Sequence, residues 1–461
     1  MSEPATMILN RRQLLWFSLA YIVFIIYGSL VPLTFQELPW DEAVDRFQKV
    51  LAEPIVVQHR SDWLANILLF IPLGFVSMGA FSVDQKRLNA APIGLLLPFF
   101  TLLSGSIEFT QIWFPPRYTS INDIAAESLG GALGIACWFV CGQKWVDYLR
   151  QFWEIHADRN WALRLIPGYF ILLVFVQCMP FDLTLSPAMI WKKYKDHKVL
   201  PIPFSTFLDE PWKFVEKGLK NGAFFFPIGL MLPGLPRRFV SGRYAFAKVL
   251  TIALVMAGTI EFMQLFVNSR YCSSTDIITG TFAIIFGWML VEPRWLGRSE
   301  SLFLSVRVRA ALLLFWVASL IFINWQPFDF VHDRGFLVER WQGQSWIPFF
   351  DYYSGNYLQA FMDILEKTLL FVPVGFFMQT MRNDPWWQFV VIAVAILFAI
   401  SIEAGQFFLR QHHPGISDII IEPAGAWLGC LAASRWQQLI KQNKYNDAVP
   451  SIVTPYRNHR Q

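Results

Sequence analysis

The chain has 461 residues, of which 55% are hydrophobic and only 16% are charged, and it contains 44 Phe and 20 Trp. Such an apolar composition indicates an integral membrane protein, and the formal net charge of +4 is too small to indicate nucleic-acid binding. The five cysteines have neither the spacing of zinc ligands nor that of a disulfide framework.

Twelve apolar segments follow one another along the chain in three groups of four. In chain order they cover 14–33, 63–82, 91–113 and 123–141, then 163–181, 219–235, 245–267 and 276–292, then 309–328, 364–380, 387–409 and 417–434. Most are close to the roughly 20 residues that a helix needs to cross a bilayer. We therefore predict an all-α polytopic membrane protein with about 12 transmembrane helices in three four-helix repeats, 1–150, 151–300 and 301–440, and a polar tail, 441–461.

A polar pattern at the end of the third segment supports the repeat. It reads Glu108, Gln111, Arg117 and Asp123, then Glu261, Gln264, Arg270 and Asp276, then Glu403, Gln406, His412 and Asp418. The step from Glu to Asp is 15 residues in every repeat, as the numbering shows. Because Glu and Gln are three residues apart, they share one face of a helix.

The second and fourth segments carry further landmarks of the repeat. The second segment has Asn66, Phe70, Pro72 and Gly74, then Asn221, Phe225, Pro227 and Gly229, then Lys367, Phe371, Pro373 and Gly375; the fourth has Gly134, Gly287 and Gly429. Proline and glycine inside apolar segments are typical of kinks and of close helix contacts.

This order of segments brings the polar groups of a repeat to one membrane surface, because the Glu ends a helix there and the Asp and Asn begin two others. Intramembrane ionisable residues are functional candidates. Our catalytic candidates are Glu108, Asp123, Glu261, Asp276, Glu403 and Asp418, and our substrate-binding candidates are Asn66, Gln111, Arg117, Asn221, Gln264, Arg270, Lys367, Gln406 and His412. The structural alternatives are that each Asp caps a helix and that each Glu pairs with the loop Arg.

The three repeats differ four residues after the Asp, where Glu127, Gly280 and Glu422 stand. The third repeat also gathers His412 and His413 near its acids, a set that could bind a divalent ion or perform acid/base chemistry. Adjacent histidines in a turn are, however, more often solvated. We predict no metal site and leave the cofactor open.

Loop charges predict the orientation of the chain. The short loops at one end of the helices are basic, as is the N-terminus, with Arg11, Arg12, Lys144, Arg150, Arg238, Arg243, Arg382 and Arg435. This side should be cytoplasmic, together with both termini, so that the Glu–Asp turns face outward. Lys192, Lys193, Lys195 and Lys198 oppose the rule from an outer loop. Another outer loop has Trp40, Val44, Phe47 and Leu51 at helical spacing, which indicates a helix in the headgroup plane.

Together these landmarks resemble the VanZ-like family of bacterial membrane proteins, and the resemblance extends over three successive units. It is carried by the Phe-x-Pro-x-Gly of segment two, the Glu-x-x-Gln of segment three and the Arg and Asp that follow, and also by Ile202-Pro203-Phe204 and Ile347-Pro348-Phe349. The family usually has Asn where this chain has Glu127, Gly280 and Glu422; Lys367 and His412 are the other departures. The resemblance implies a role at the cell envelope, since the namesake is associated with teicoplanin resistance and relatives with surface polysaccharide.

Three functions follow from this interpretation. The leading hypothesis is a protein of the cytoplasmic (inner) membrane that handles or modifies an envelope glycan or its lipid-linked precursor, with membrane lipid and envelope-biosynthesis proteins as further partners. A transporter is the second, although transporter sites generally lie near the bilayer midplane. A non-catalytic scaffold of a polysaccharide-assembly complex is the third. Whether the protein is an enzyme is left open.

Overall fold

The computed structural model describes residues 9–55, 60–85, 91–115, 117–153, 161–179, 182–184, 186–292, 301–352, 357–382 and 384–448. The first repeat contains α1 (Arg11–Leu30), α2 (Trp40–Leu51), α3 (Arg60–Ser82), α4 (Ile93–Gln111), α5 (Ile121–Cys137) and α6 (Gln143–Trp153). A π-helical turn, Trp138–Gly142, joins the last two. The apolar segments predicted at 14–33, 63–82, 91–113 and 123–141 are therefore confirmed as helices.

The second and third repeats follow the same order. The second contains α7 (Trp161–Cys178), α8 (Pro187–Lys195), α9 (Pro211–Met231), α10 (Arg237–Val240), α11 (Ala245–Leu265) and α12 (Ser274–Val291). The third contains α13 (Val306–Trp325), α14 (Arg334–Gly343), α15 (Tyr357–Met381), α16 (Pro385–Gln406) and α17 (Asp418–Ala448). Two-residue strands β1 (Val199–Leu200) and β2 (Cys272–Ser273) pair in parallel in the second repeat. All eight remaining segments coincide with helices.

Nine helices in the described part of the chain are long and apolar enough to cross a membrane: α1, α3, α4, α5 with its continuation to Arg150, α7, α11, α12, α13 and α16. The three remaining long helices, α9, α15 and α17, occupy equivalent places in the repeats and carry charged residues in their N-terminal halves. The protein is therefore an all-α, multi-pass membrane protein built from three repeats, as predicted.

Each repeat is held together by a crossing of two helices at glycines. A Cβ atom at Gly74 of α3 would overlap the carbonyl oxygen of Gly131 on α5, and one at Gly134 would overlap that of Ile71. The same overlap occurs between α9 and α12 at Gly229, and between α15 and α17 at Gly375. Only glycine lets the two backbones approach this closely, which explains why segments two and four carry their glycines at matching positions.

The chain divides into two compact units, Met1–Ile155 with Phe349–Tyr357, and His156–Pro348 with Leu358–Gln461. The second and third repeats share a unit, and a charge bridge joins them. The Nζ of Lys220 on α9 lies 2.7 Å from Glu216 Oε1 and 2.7 Å from Glu366 Oε1 on α15. The side chain of Gln326 also donates to Glu216. Ala65 is the residue of the first repeat that is equivalent to Lys220 and Glu366, so the first repeat has no charged side chain at this position.

Two sequence predictions concern the ends of helices. The amphipathic stretch near Trp40 is indeed helix α2, and the Trp40 indole stacks on Trp113 with ring centroids 5.9 Å apart. Of the predicted tail, residues 441–448 continue α17, and 449–461 lie outside the described residues.

Candidate functional site

A buried Glu fixes the turn between the third and fourth long helices of every repeat. Glu108 Oε2 accepts a hydrogen bond from the backbone N–H of Ser120 at 2.8 Å, and Glu261 Oε2 accepts one from Ser273 at 2.7 Å. In the third repeat Glu403 Oε2 accepts from Gly415 N at 2.5 Å. The donor stands 12 residues after the Glu each time. The carboxylate at the end of one helix therefore positions the start of the next.

A serine caps the helix that follows this turn in the first two repeats. The side chain of Ser120 accepts from the N–H of Asn122, and that of Ser273 accepts from the N–H of Thr275. These contacts satisfy N–H groups that a helix start leaves without intrahelical partners. The N-cap position therefore belongs to Ser, and the Asp lies three residues further along the helix.

The Gln and the Arg or His of the following loop bind the end of the first long helix of each repeat. Gln111 Nε2 donates to Ser29 O at 3.0 Å, and Gln264 Nε2 donates to Gln177 O at 2.9 Å. Gln406 Nε2 lies 3.4 Å from Asn324 Oδ1. The Arg117, Arg270 and His412 side chains bond to carbonyl oxygens of Val31, Met179 and Gln326, respectively. Helix C-termini leave carbonyls that such donors satisfy, so these three residues are structurally equivalent.

Burial and hydrogen bonding limit the chemistry available to these groups. Arg270 lies in the loop outside the spans, and burial lowers the pKa of its guanidinium. A cation already bound to helix carbonyls would have to exchange those contacts to receive a substrate anion. The assignment of Gln111, Arg117, Gln264, Arg270, Gln406 and His412 to substrate binding stays a prediction.

The Asp pairs with the start of the second long helix, but its partner differs between repeats. Asn66 Nδ2 donates to Asp123 Oδ1 at 2.8 Å. In the second repeat Lys217 Nζ lies 2.6 Å from Asp276 Oδ2, and in the third Lys367 Nζ lies 2.6 Å from Asp418 Oδ2. Asn221, although it aligns with Asn66, donates to the backbone carbonyl of Asp276 and to Thr279 Oγ1. In the first repeat the Asn66 amide therefore pairs with the Asp123 carboxylate. In the second repeat Lys217, which lies one helical turn before Asn221, pairs with the Asp276 carboxylate instead.

A second Glu lies behind this pair in the first and third repeats. Glu127 and Glu422 are only 3% and 2% exposed, and one carboxylate oxygen of each, Oε2, has no hydrogen-bond partner among the described residues. Glu127 interacts electrostatically with Asp123 and Glu108, and Glu422 does so with Asp418 and Glu403. We refer to Glu127 and Glu422 as the inner glutamates.

The second repeat has no inner glutamate. Its equivalent residue is Gly280, and a Cβ there would lie 3.0 Å from the ring of Phe225, which occupies the adjoining space. In the other repeats, the Cβ atoms of the equivalent residues Phe70 and Phe371 lie close to Gly130 and Gly425. The second repeat therefore has the same turn and the same Asp as the other two, but it has Gly280 in place of the inner glutamate.

Cations on the amphipathic helices are further site residues that sequence reasoning did not select. Lys193 of α8 is fully buried and donates to the carbonyls of Gln264 and Val267 at 2.6 Å each, and Arg340 of α14 donates to the carbonyl of Leu409. Burial lowers the pKa of the Lys193 ammonium. The sequence indicates such a residue only as a basic side chain on the helix after a span. Which of the three lysines of α8 is buried is evident only from the structure.

Two other features bear on reactivity near the turns. Burial and the neighbouring Glu261 raise the pKa of the Cys272 thiol to about 12, so this cysteine is not a thiolate nucleophile at neutral pH. Within the described ranges, no three His, Cys, Asp or Glu side chains are grouped to hold a metal ion. His412 Nε2 lies 2.6 Å from the carbonyl oxygen of Gln326, which is equivalent to the contacts of Arg117 with Val31 and of Arg270 with Met179.

Comparison with known proteins gives one match. A family model described as VanZ/LLP1 matches the chain three times, over residues 9–142, 150–296 and 308–437. No curated protein and no solved structure matches the chain.

Proposed function

Because the chain belongs to the VanZ/LLP1 family through three successive repeats, we propose that it acts at the bacterial cell envelope. In this proposal it binds a surface glycan or its lipid-linked precursor from the outer side of the cytoplasmic membrane and modifies it or passes it on. In this proposal both termini are cytoplasmic, and the support is that Arg11, Arg12, Arg243 and Arg382 lie at the helix ends opposite the Glu–Asp turns.

The observation that carries this proposal is the pair of inner glutamates. A buried carboxylate oxygen without a partner is unfavourable in a membrane helix and should be retained for a task. Glu127 is the seventh residue of α5, about 9 Å along the helix from its start. A group that enters from the turn end could therefore reach it without crossing the bilayer.

The chemistry of these sites suits hydroxyl groups. Carboxylates accept hydrogen bonds, and the amide of Asn66 donates them, so Asn66, Asp123 and Glu127 complement the alternating donors and acceptors of a sugar. Two acids with different surroundings can also serve as acid and base toward a hydroxyl. We assign this role to Asp123 with Glu127 and to Asp418 with Glu422, and we assign Glu108 and Glu403 to holding the turns.

The experiment replaces both inner glutamates in the native host, as Glu127→Gln with Glu422→Gln. The matched control is Glu53→Gln, which changes an exposed acid after α2. Surface glycan and teicoplanin tolerance are measured in strains with equal amounts of the membrane protein. We expect the double variant to resemble a deletion and the control to resemble the wild type. Wild-type glycan and tolerance in the double variant would refute the proposal.

A scaffold function is the second candidate, and the shared turn network favours it. Glu108, Glu261 and Glu403 make the same backbone contact in repeats whose other acids differ. A scaffold needs only these contacts, so it predicts normal glycan in the inner-glutamate variant. It also predicts loss of glycan in proportion to lost protein when Glu261 is replaced by Leu.

A further inference from the structure

The three amphipathic helices at the turn end of the repeats differ sharply in charge. Helix α2 carries three acids and two bases, and α14 carries two arginines and one acid. Helix α8 has no acid and three lysines, Lys192, Lys193 and Lys195. The basic residues of the short loops, such as Arg238, Arg243 and Arg382, concentrate at the opposite helix ends. The lysines of α8 therefore oppose the charge bias of the rest of the protein, which calls for a specific reason.

Helix α8 is a fixed platform. Its buried Lys193 binds two carbonyls at the end of α11, and β1, which follows α8, pairs with β2 directly before α12. The helix thus lies against the turn that contains Glu261 and Asp276. Anchored in this way, α8 presents its remaining side chains at a constant position.

The outward face of α8 combines cations and aromatic rings. Lys192 and Lys195 are exposed, lie one helical turn apart, and form no ion pair with another described residue. Like charges at this spacing destabilise a helix unless an anion lies between them. The Trp191 and Tyr194 rings stack with centroids 5.6 Å apart, and Lys195 Nζ lies 5.9 Å from the Trp191 centroid. Exposed Trp and Tyr beside lysines are typical of a membrane–water interface.

We propose that the face formed by Trp191, Lys192, Tyr194 and Lys195 binds the phosphate head group of an anionic membrane amphiphile. The two ammonium groups bind the phosphate, and the two rings lie beside the first carbons of the lipid tail. The acidic turns cannot supply such a site, because carboxylates repel phosphate. This inference rests on the proposed function in one respect: a lipid-linked glycan precursor would offer its phosphate to α8 and its sugar to the acids.

Binding to the purified full-length protein tests the site. The probes are dioctanoyl phosphatidic acid, dioctanoyl phosphatidylcholine and inorganic phosphate, each titrated in detergent at fixed ionic strength. The variant is Lys192→Gln with Lys195→Gln, and the control is Lys213→Gln, which changes an exposed lysine in the first turn of α9 that pairs with Glu210. We expect the Kd for phosphatidic acid to rise about tenfold or more in the double variant and to stay within about twofold in the control.

Each outcome decides the matter. Equal Kd values for phosphatidic acid in the wild type and the double variant would overturn the inference. Inorganic phosphate that binds as tightly as phosphatidic acid would overturn the assignment to a membrane amphiphile, since the tail would then contribute nothing. Failure here is separate from failure of the proposed function, because the binding assay leaves Glu127 and Glu422 intact and the envelope phenotype leaves α8 intact.

Discussion

The first and second repeats share a turn but not an acid site. In both, a buried Glu accepts the N–H of the residue that caps the next helix, and a Gln and an Arg satisfy the carbonyl end of the first helix. The first repeat adds Glu127, whereas the second has Gly280 against the Phe225 ring. The comparison shows that Glu108 and Glu261 make the same turn contact in both repeats, whereas the inner glutamate is present in only one of them; we infer from this that Glu108 and Glu261 hold the turn.

The largest expected effect concerns what the repeats have in common. Gly134→Ala should destabilise the protein by on the order of 3 kcal/mol, because the new Cβ would overlap backbone atoms of α3 that have no room to move. Gly287→Ala in the second repeat should act in the same direction. Thermal unfolding and monodisperse yield in detergent provide the measurement.

Gly105→Ala is the control for this substitution. Gly105 is in α4, and in the described part of the chain no neighbouring atom lies within 4 Å of a Cβ at that position. The control should be neutral or slightly stabilising, because alanine favours helix more than glycine does. Equal losses in Gly134→Ala and Gly105→Ala would show that the crossing is not the cause.

The next effect separates a turn acid from an inner one within the same fold. Glu261→Leu should cost about 1–3 kcal/mol, because it leaves the buried N–H of Ser273 without its acceptor. Glu127→Leu removes a carboxylate with one oxygen that has no hydrogen-bond partner among the described residues, and it should raise the melting temperature or leave it unchanged. An equal loss of melting temperature in Glu127→Leu and Glu261→Leu would contradict the distinction between the two glutamates.

A smaller effect is expected at the charge bridge, which distinguishes the second and third repeats from the first. A double-mutant cycle with Lys220→Met and Glu366→Gln should give a coupling energy of about 1 kcal/mol, since both side chains are partly exposed. Chemical unfolding in detergent supplies the four free energies. A coupling energy below about 0.3 kcal/mol would assign the joining of these repeats to apolar packing alone.

The smallest effect is pH-dependent and lies at the other end of the first repeat. The hydrogen bonds and charge of Arg150 lower the pKa of the Asp84 carboxyl. A lowered folded-state pKa stabilises the protein above the unfolded value of about 3.9 and loses that contribution as pH falls through the folded value. Asp84→Asn should therefore reduce the loss of unfolding free energy below about pH 5 by a few tenths of a kcal/mol, which would appear as a flatter pH profile of the melting temperature. Identical pH profiles would contradict this role.

Much of this fold can be predicted from the sequence, because the apolar segments are long and the landmark residues recur in three repeats. Apolar length located the helices, and the shared step from Glu to Asp aligned the repeats. Helix α9 begins at Pro211, whereas hydropathy located its segment from 219 onward, because Lys217 and Lys220 interrupt the apolar run. Those lysines are tolerated through ion pairs with Asp276 and Glu366, and hydropathy cannot detect a partner that is distant in sequence.

The arrangement within the site was less accessible for a similar reason. Topology brings Asn66 and Asp123 to one end, but the rotation of each helix decides which side chains meet there. In the second repeat Lys217 faces the Asp276 carboxylate, and Asn221 binds the backbone instead. The clamp of Gln111 and Arg117 onto the end of α1 depends on loop conformation, which no periodicity encodes.

The melting temperature of the purified Glu127→Gln, Glu422→Gln variant tests the central claim most directly, which is that the inner glutamates are kept for function and not for stability. Because each has one oxygen without a partner in the part of the chain that the structure describes, we predict a melting temperature equal to or above that of the wild type, together with loss of the envelope phenotype. A melting temperature lower by several degrees would contradict the claim, because it would show that these carboxylates hold the helices together.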